Sequence, residues 1–454
     1  MIHCPSCGGG LRFDIASQLM ACDYCGAAYD PASTGQMNKE AQGQATYDSY
    51  VFTCPSCGGE LLTTDETDAV GFCPFCGGAS MLFDRVHRQW EPQHIIPFQI
   101  TKEQCKDIYI KEVKRNPFVS KQYRDPQLIE SFRGIYMPYW SYQAVQQGRF
   151  RVTGTKKGFF TKRWYAIDGE TDVRLDGYGH DASKAFDDRI SEDIAPFDPR
   201  GHKPFAPGYL SGFYADIGDV DAHSYDRAGV QSMQEHTAKL IAQDNSVTHA
   251  KDGVSKLKVT PETSLVPTVL TSAQRTLYPV WFMSYRNKDK ITYAAVNGQT
   301  GRITADLPVS PWKVLLTVLL VGIAIAALAF LLLPAIKANS VLMLSVGVLI
   351  AGTLLLRRNF RIAVNKETGL IDTDEAKRFK KRDKIRLIVM IVSAVAGALL
   401  SYADLAYNVF TYLGCFLMAA ELFYFMICHI RFQAEIAKRQ PPQFQKKGAA
   451  YDEN

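Results

Sequence analysis

The sequence predicts a multidomain chain: two rubredoxin-like zinc ribbons, a duplicated α+β middle domain, and an all-α membrane bundle of four helices. Three observations carry that prediction. The six residues CPSCGG occur at 4–9 and again at 54–59, each followed by a second close cysteine pair, CDYC at 22–25 and CPFC at 73–76. Between residues 95 and 310, helical and strand patterns alternate. From Lys313 onward, long apolar runs alternate with basic clusters. The domains that follow are ribbon 1 at 1–30, a polar linker at 31–50, ribbon 2 at 51–84 and the α+β domain at 85–312. Four transmembrane helices at about 314–336, 340–356, 386–403 and 408–430 come next, with a basic cytoplasmic loop at 357–384 and a basic cytoplasmic tail at 431–454.

Eight of the eleven cysteines form four CxxC pairs before residue 77. Fourteen residues separate Cys7 from Cys22 and fifteen separate Cys57 from Cys73, enough for a hairpin that doubles back to bring the second pair. Four thiolates around one ion make the closed tetrahedral site of structural zinc. The expected ligands are Cys4, Cys7, Cys22 and Cys25 for one Zn2+, and Cys54, Cys57, Cys73 and Cys76 for a second, with iron as the alternative ion. Glycine follows every pair, at Gly8, Gly26, Gly58 and Gly77, where the turn calls for positive φ and a backbone N–H can reach sulfur. Redox-active dithiols are the competing reading. Such a pair normally opens a helix in a βαβ setting, which four glycine-followed pairs at matched spacing do not fit. A catalytic zinc is not expected, because four cysteines leave no open coordination position. The start of the chain has no basic segment leading into an apolar one, so a signal peptide is not expected and the thiols are read as lying in a reducing compartment. Of the remaining cysteines, Cys415 and Cys428 lie inside apolar runs and read as small buried hydrophobes, and no function is assigned to them or to Cys105.

Ribbons often bind nucleic acid, and charge tests that use. Residues 1–84 hold two basic side chains, Arg12 and Lys39, against ten acidic ones, a balance of −8 before any zinc is counted. A phosphate-binding surface depends on Lys and Arg. Protein partners are therefore the expected contacts of the ribbons, and nucleic acid is not. A membrane-tethered nucleic-acid binder stays open only as an alternative resting on the ribbon shape.

The run at 314–336 is long enough to cross a bilayer as a helix, and three further apolar runs follow it. The loop 357–384 holds ten Lys and Arg, whereas the links on the other side hold only Lys337. By the positive-inside rule the loop, the N-terminal region and the tail face the cytoplasm, as expected of a multi-pass membrane protein. The basic clusters are suited to anionic headgroups as well as to fixing topology. Ser393, Gly397 and Ser401 recur every four residues, a seam that lets a neighbouring helix approach closely. Glu421, deep in an apolar run, is expected to hydrogen-bond to a neighbouring helix rather than to serve transport.

In the middle region, ITKEQCKDIYIKEVKR reads as a helix capped by Thr101, and a longer helix is expected from Asp219. Strands are expected in IYMPYWSYQAVQQGRFRVTG, KRWYAIDGETDVRLDG, LYPVWFMSYRN and KITYAAVNGQTGRITADL, with Asn297–Gly298 as a two-residue hairpin turn. Pro-x-Trp occurs at Pro138–Trp140 and Pro279–Trp281, as if a half-domain were duplicated, each copy setting proline at a strand start and tryptophan in the core. The segments CPSCG…CDYCG, CPSCGG…CPFCGG, IIPFQITKEQ, GIYMPYWSY, PGYLSGFYAD, LYPVWFMSYR and VNGQTGRITADLP stand in that order before the terminal apolar runs. In this the chain resembles bacterial membrane proteins labelled TFIIB-type zinc-ribbon-containing, over nearly its whole length. The resemblance implies an adaptor in a membrane-stress module, beside phage-shock-type coat proteins and SPFH-domain scaffolds. Relatives of this group are sometimes labelled primosomal-helicase-like, but the chain has no GxxxxGK[ST] loop. HExxH, GxSxG and GxGxxG are absent too, so no catalytic residue is assigned. His180, Asp181, His202 and His223 are read as surface-loop residues, with a pocket, and hence a membrane enzyme or transporter, as the alternative.

Overall fold

The computed structural model describes residues 2–314 apart from 34–37, 40–44, 65–71, 91, 158–161, 185, 245–257, 261–265 and 288–289; beyond them it describes chiefly 345–354, 374–402 and 409–436. The chain forms two compact units, one comprising Met1–Tyr109 with Glu130–Ala305 and the other Ile110–Ile129 with Asp306–Gln440.

In the first unit, β1 (Leu11–Asp14), β2 (Leu19–Cys22) and β3 (Ala28–Tyr29) make a small antiparallel sheet. Everything after it in this unit joins one larger sheet of thirteen strands among the described residues. Four strands come from the region of ribbon 2: β4 (Asn38–Lys39), β5 (Ala45–Thr53), β6 (Glu60–Thr63) and β7 (Leu82–Trp90). β5 starts within the expected linker and pairs with both β6 and β7.

The mixed α/β middle follows, in two stretches that each have a short strand, then helix, then a long strand with its hairpin partner, the second with two short strands in addition. The first has β8 (His94–Ile95), α1 (Lys102–Arg115), the short α2 (Pro126–Glu130), β9 (Arg133–Lys157) and β10 (Lys162–Asp181). After α3 (Asp188–Ile194) and β11 (Lys203–Pro204), the second has β12 (Tyr214–Asp216), α4 (Asp226–Gln243), β13 (Lys258–Thr260), β14 (Thr268–Asn287), β15 (Lys290–Asn297) and β16 (Ile303–Ala305). Thr101 caps α1 as expected, in a capping box: Gln104 N–H donates to its Oγ1 at 3.3 Å, and Thr101 N–H donates to Gln104 Oε1 at 2.9 Å. β9 and β14 lie side by side, antiparallel, at the centre of the sheet, with Leu277 opposite Pro138 and Tyr136 opposite Pro279. Their apolar stretches are buried on both faces, as continuous hydrophobic runs require.

The two prolines lie inside these strands, not at their starts. Each falls where the outer partner of its strand changes. β9 pairs in parallel with β12 at Ile135 and Tyr136, and with β10 from Tyr139 onward, leaving Pro138 in the gap. β14 pairs in parallel with β8 at Thr276 and Leu277, and with β15 from Val280 onward, leaving Pro279 in the corresponding gap. A residue without an N–H is tolerated there because no ladder bond is asked of it. Each tryptophan two residues later donates its indole N–H to a backbone carbonyl, Trp140 to Val220 at 2.8 Å and Trp281 to Ile100 at 2.7 Å.

The Asn297–Gly298 turn also differs from expectation. β15 and β16 are joined through residues 298–302, and the positive φ, +74°, belongs to Gly301. Asn297 Oδ1 accepts from the N–H groups of Gln299 and Thr300, each at 2.9 Å, which winds a longer turn. Gly298 is needed for closeness instead, since a Cβ there would stand 2.6 Å from the ring of Phe98.

In the second unit, the long described helices are α5 (Asp374–Tyr402) and α6 (Val409–Ile436). They pack with helical residues 345–354 through Leu349, Met390, Ala394, Met418 and Phe425. Among the described residues no helix is long and apolar enough to cross a membrane, so the expected four-helix membrane bundle is not found among them. α5 runs through the end of the basic loop before reaching the third apolar run, so residues 374–384 of that loop and the run form one helix. The first expected span, 314–336, lies almost wholly outside the described residues, as do 359–373 of the loop and 437–454 of the tail. Of Glu421, expected to hydrogen-bond to a neighbouring helix, Oε1 is buried without a hydrogen-bond partner among the described residues.

Candidate metal centres

Each cysteine pair sits on a tight turn built by backbone hydrogen bonds. Gly8 N–H donates to Cys4 O at 2.8 Å, and the same bond recurs from Gly26 to Cys22, Gly58 to Cys54 and Gly77 to Cys73 at 2.8–2.9 Å. The four glycines have φ between +66° and +76°, the conformation expected of them. Gly59 N–H reaches the sulfur of Cys57 at 3.4 Å.

These turns bring the predicted ligands together in two groups, and within each the sulfurs all lie within 4.8 Å of one another. Cys4 and Cys25 are 3.6 Å apart and Cys7 and Cys22 3.5 Å; in the second group Cys54 and Cys76 are 3.6 Å apart and Cys57 and Cys73 3.7 Å. None of the eight is in a disulfide. A tetrahedron with Zn–S bonds of about 2.3 Å has sulfur–sulfur edges of about 3.8 Å, so the residues fit one divalent ion per group. The protons point the same way. Beside three other sulfurs, Cys73 is pushed far up, while Cys76, hydrogen-bonded by Cys57 and Cys73, is held down to about 2. Four thiols at this spacing cannot all ionise unless a cation balances them.

The two centres differ in what surrounds them. In ribbon 2 all four cysteines are buried, and they belong to the core of the large sheet with Ile135, Tyr278 and Phe282. Phe75, between the second pair, is 1% exposed, and its carbonyl accepts from Tyr293 Oη at 2.5 Å. Glu60 is buried too, 3.3 Å from the Arg85 guanidinium. Ribbon 1 packs against the short helical turn Pro207–Leu210 and the residue after it: Phe13 meets Tyr209 at 5.3 Å, and Ser211 Oγ donates to Leu11 O at 2.6 Å. Its Cys7 and Cys25 are exposed, and Tyr24, at the position that Phe75 holds in ribbon 2, is 90% exposed.

The histidines divide likewise. His223 is exposed, its ring 3.0 Å from Asp226, and that hydrogen bond holds its pKa above the ordinary range. His202 stacks on His94 and on Tyr278 and is pushed down by burial and by His94. His180 borders a cavity, and Asp181 beside it is fully buried, so neither is a surface-loop residue. Sequence reading missed the rest of that cavity's lining. The one local signal was Asp176–Gly177 inside a strand pattern, the mark of a bulge.

No family model matches the chain, and no solved structure matches it. It is similar to the uncharacterized protein YdjG of Bacillus subtilis (strain 168), with 26% identity over 320 residues that make up 68% of this chain and 91% of that one.

Proposed function

We propose that the chain is an adaptor of the bacterial inner membrane that faces the cytoplasm and docks protein partners through zinc ribbon 1. The observation that carries the reading is the contrast between Tyr24, 90% exposed, and Phe75, 1% exposed, at the same place in two like modules. A zinc knuckle that turns an aromatic residue and two metal-bound sulfurs outward is a rigid anchor with little entropy to lose on binding. Its twin, with the same sequence pattern, holds the sheet together. The acidic balance of the ribbons supports a protein partner over nucleic acid. Membrane anchoring is supported by the apolar runs and by the side chains that the C-terminal helices leave exposed, among them Ile388 at 60%, Val392 at 62% and Phe416 at 69%. The resemblance directs the search for partners to phage-shock-type coat proteins and SPFH-domain scaffolds. The repeated order of the two halves of the middle domain, each with its proline in the gap between outer strands, supports an internal duplication.

The test is affinity purification of the full chain in mild detergent, parent against the D23K/Y24A variant. Both substitutions fall on exposed residues and leave every zinc ligand in place. The variant is expected to keep its metal and lose the proteins that co-purify with the parent. Unchanged recovery of those proteins would end the docking assignment.

A further inference from the structure

A cavity of about 580 Å3 opens between the strand pair β9–β10 and the segment from α3 to residue 199. This is within the size range of small-molecule sites, roughly 300–1,000 Å3. Its wall is broken on purpose. Pairing of β10 with β9 slips between Leu175 and Tyr178, so that Asp176 and Gly177 stand opposite a single residue, and both face the cavity. Gly177 has φ +74°, and a Cβ on it would lie 2.3 Å from Pro199, so the bulge admits no larger residue.

Five aromatic rings line the space. Tyr139 and Tyr278 stack with centroids 4.5 Å apart, and Phe197 lies 4.6 Å from Tyr278. The hydroxyls of the first two are engaged, Tyr139 with Ser191 Oγ at 2.7 Å and Tyr278 with His202 Nε2 at 3.3 Å. Two imidazoles, His180 and His236, are part of the lining. Asp176 and Glu192 line the cavity, and no Lys or Arg does so among the described residues. Behind the wall, next in sequence to His180, Asp181 is fully buried, and neither of its carboxylate oxygens makes a hydrogen bond among the described residues.

From the aromatic walls, the two carboxylates with no Lys or Arg beside them in the described lining and the bulge that opens the strand, we infer that this cavity binds a small organic cation, an ammonium group carried on an apolar body. Aromatic faces attract such a cation and carboxylates complement it. An anionic ligand would find no Lys or Arg among the described lining residues, only the imidazoles of His180 and His236. The zwitterionic headgroup of a lipid would bring a phosphate that no Lys or Arg of the described lining could meet, which favours a free amine.

Benzyltrimethylammonium is the probe, titrated into the full zinc-loaded chain in neutral detergent while tyrosine and tryptophan fluorescence is followed, with phenylphosphate as the anionic counterpart. The cation is expected to give a saturable change and phenylphosphate none over the same range. The D176N/E192Q variant changes only exposed side chains and is expected to weaken the cation at least tenfold with metal content unchanged. Tyr178→Leu, which removes one partly exposed ring, is expected to weaken it as well. The inference is overturned by a cation response that does not saturate, by equal responses to both probes, or by saturation that the double variant leaves where it was.

Discussion

Gly77 and Gly8 hold the same place behind a cysteine pair, yet alanine has different expected consequences at each. Both have positive φ, +66° and +76°, so each substitution costs about 1 kcal/mol in backbone strain. At Gly8 nothing lies within 4 Å of the added Cβ, and the cost ends there. At Gly77 the Cβ would meet that of Arg286 at 3.0 Å, on a strand at the centre of the sheet. Chemical unfolding is expected to show G77A less stable than G8A, and equal midpoints would refute the account. Asp181 supports a second prediction. Burial, with the charge of Asp188 adding to it, pushes its carboxyl up to about 7. The folded chain therefore keeps a proton between about pH 4 and 7 that the unfolded chain has released, and stability falls as pH rises through that window. Asp181→Asn removes the charge. At pH 8 the variant is expected to be more stable than the parent, by up to about 4 kcal/mol, and the gain should shrink towards pH 4. Urea unfolding at pH 5 and pH 8 checks it; a gain that does not depend on pH would show that the carboxyl is not protonated in the fold.

At the scale of elements, the two ribbons have different duties although their sequences rhyme. Losing ribbon 2's ion removes a piece of the main core, because Cys54, Cys57, Cys73 and Cys76 pack there with Phe282 and Tyr278. Losing ribbon 1's ion undoes only the small sheet of β1, β2 and β3. Hydrogen exchange on Cys76→Ser is expected to show protection lost across β5, β6 and β12, whereas Cys25→Ser should lose it in β1–β3 alone. A chelator should withdraw one equivalent of metal well before the second, since two sulfurs of ribbon 1 are exposed and none of ribbon 2 is. Simultaneous release of both ions would contradict the assignment. The two four-cysteine groups were legible in the sequence because CxxC spacing and the glycine behind it are local, and the turn they specify needs no distant partner. The capped helix α1 was legible for the same reason. The fate of each ribbon was not. Whether CPFC turns its phenylalanine inward depends on Tyr293 and Ser284, more than two hundred residues away. The cavity was illegible likewise, since residues from 139 to 278 must meet before Asp176 and Glu192 have anything to line.

For the molecule as a whole, the division into two units decides where the chain can be cut. Residues 110–129 belong with the C-terminal unit, not with the strands that flank them. Ser310 N–H donates to Phe118 O at 2.7 Å, and Lys313 Nζ donates to Val119 O at 2.6 Å. A chain ending at 305 strands that segment without its partners, whereas one ending at 313 keeps both bonds. The chain 1–313 is accordingly expected to stay monodisperse without detergent and to bind two equivalents of zinc, as the full chain should. Metal analysis by mass spectrometry gives the count. In flotation through a density gradient, the full chain is expected to rise with the membranes and 1–313 to remain below. Membrane association of 1–313 equal to that of the full chain would move the anchor into the first unit and remove the basis for assigning it to the C-terminal helices. Two zinc equivalents together with lost flotation would separate the metal-bearing part from the membrane-bearing part, as the adaptor reading requires.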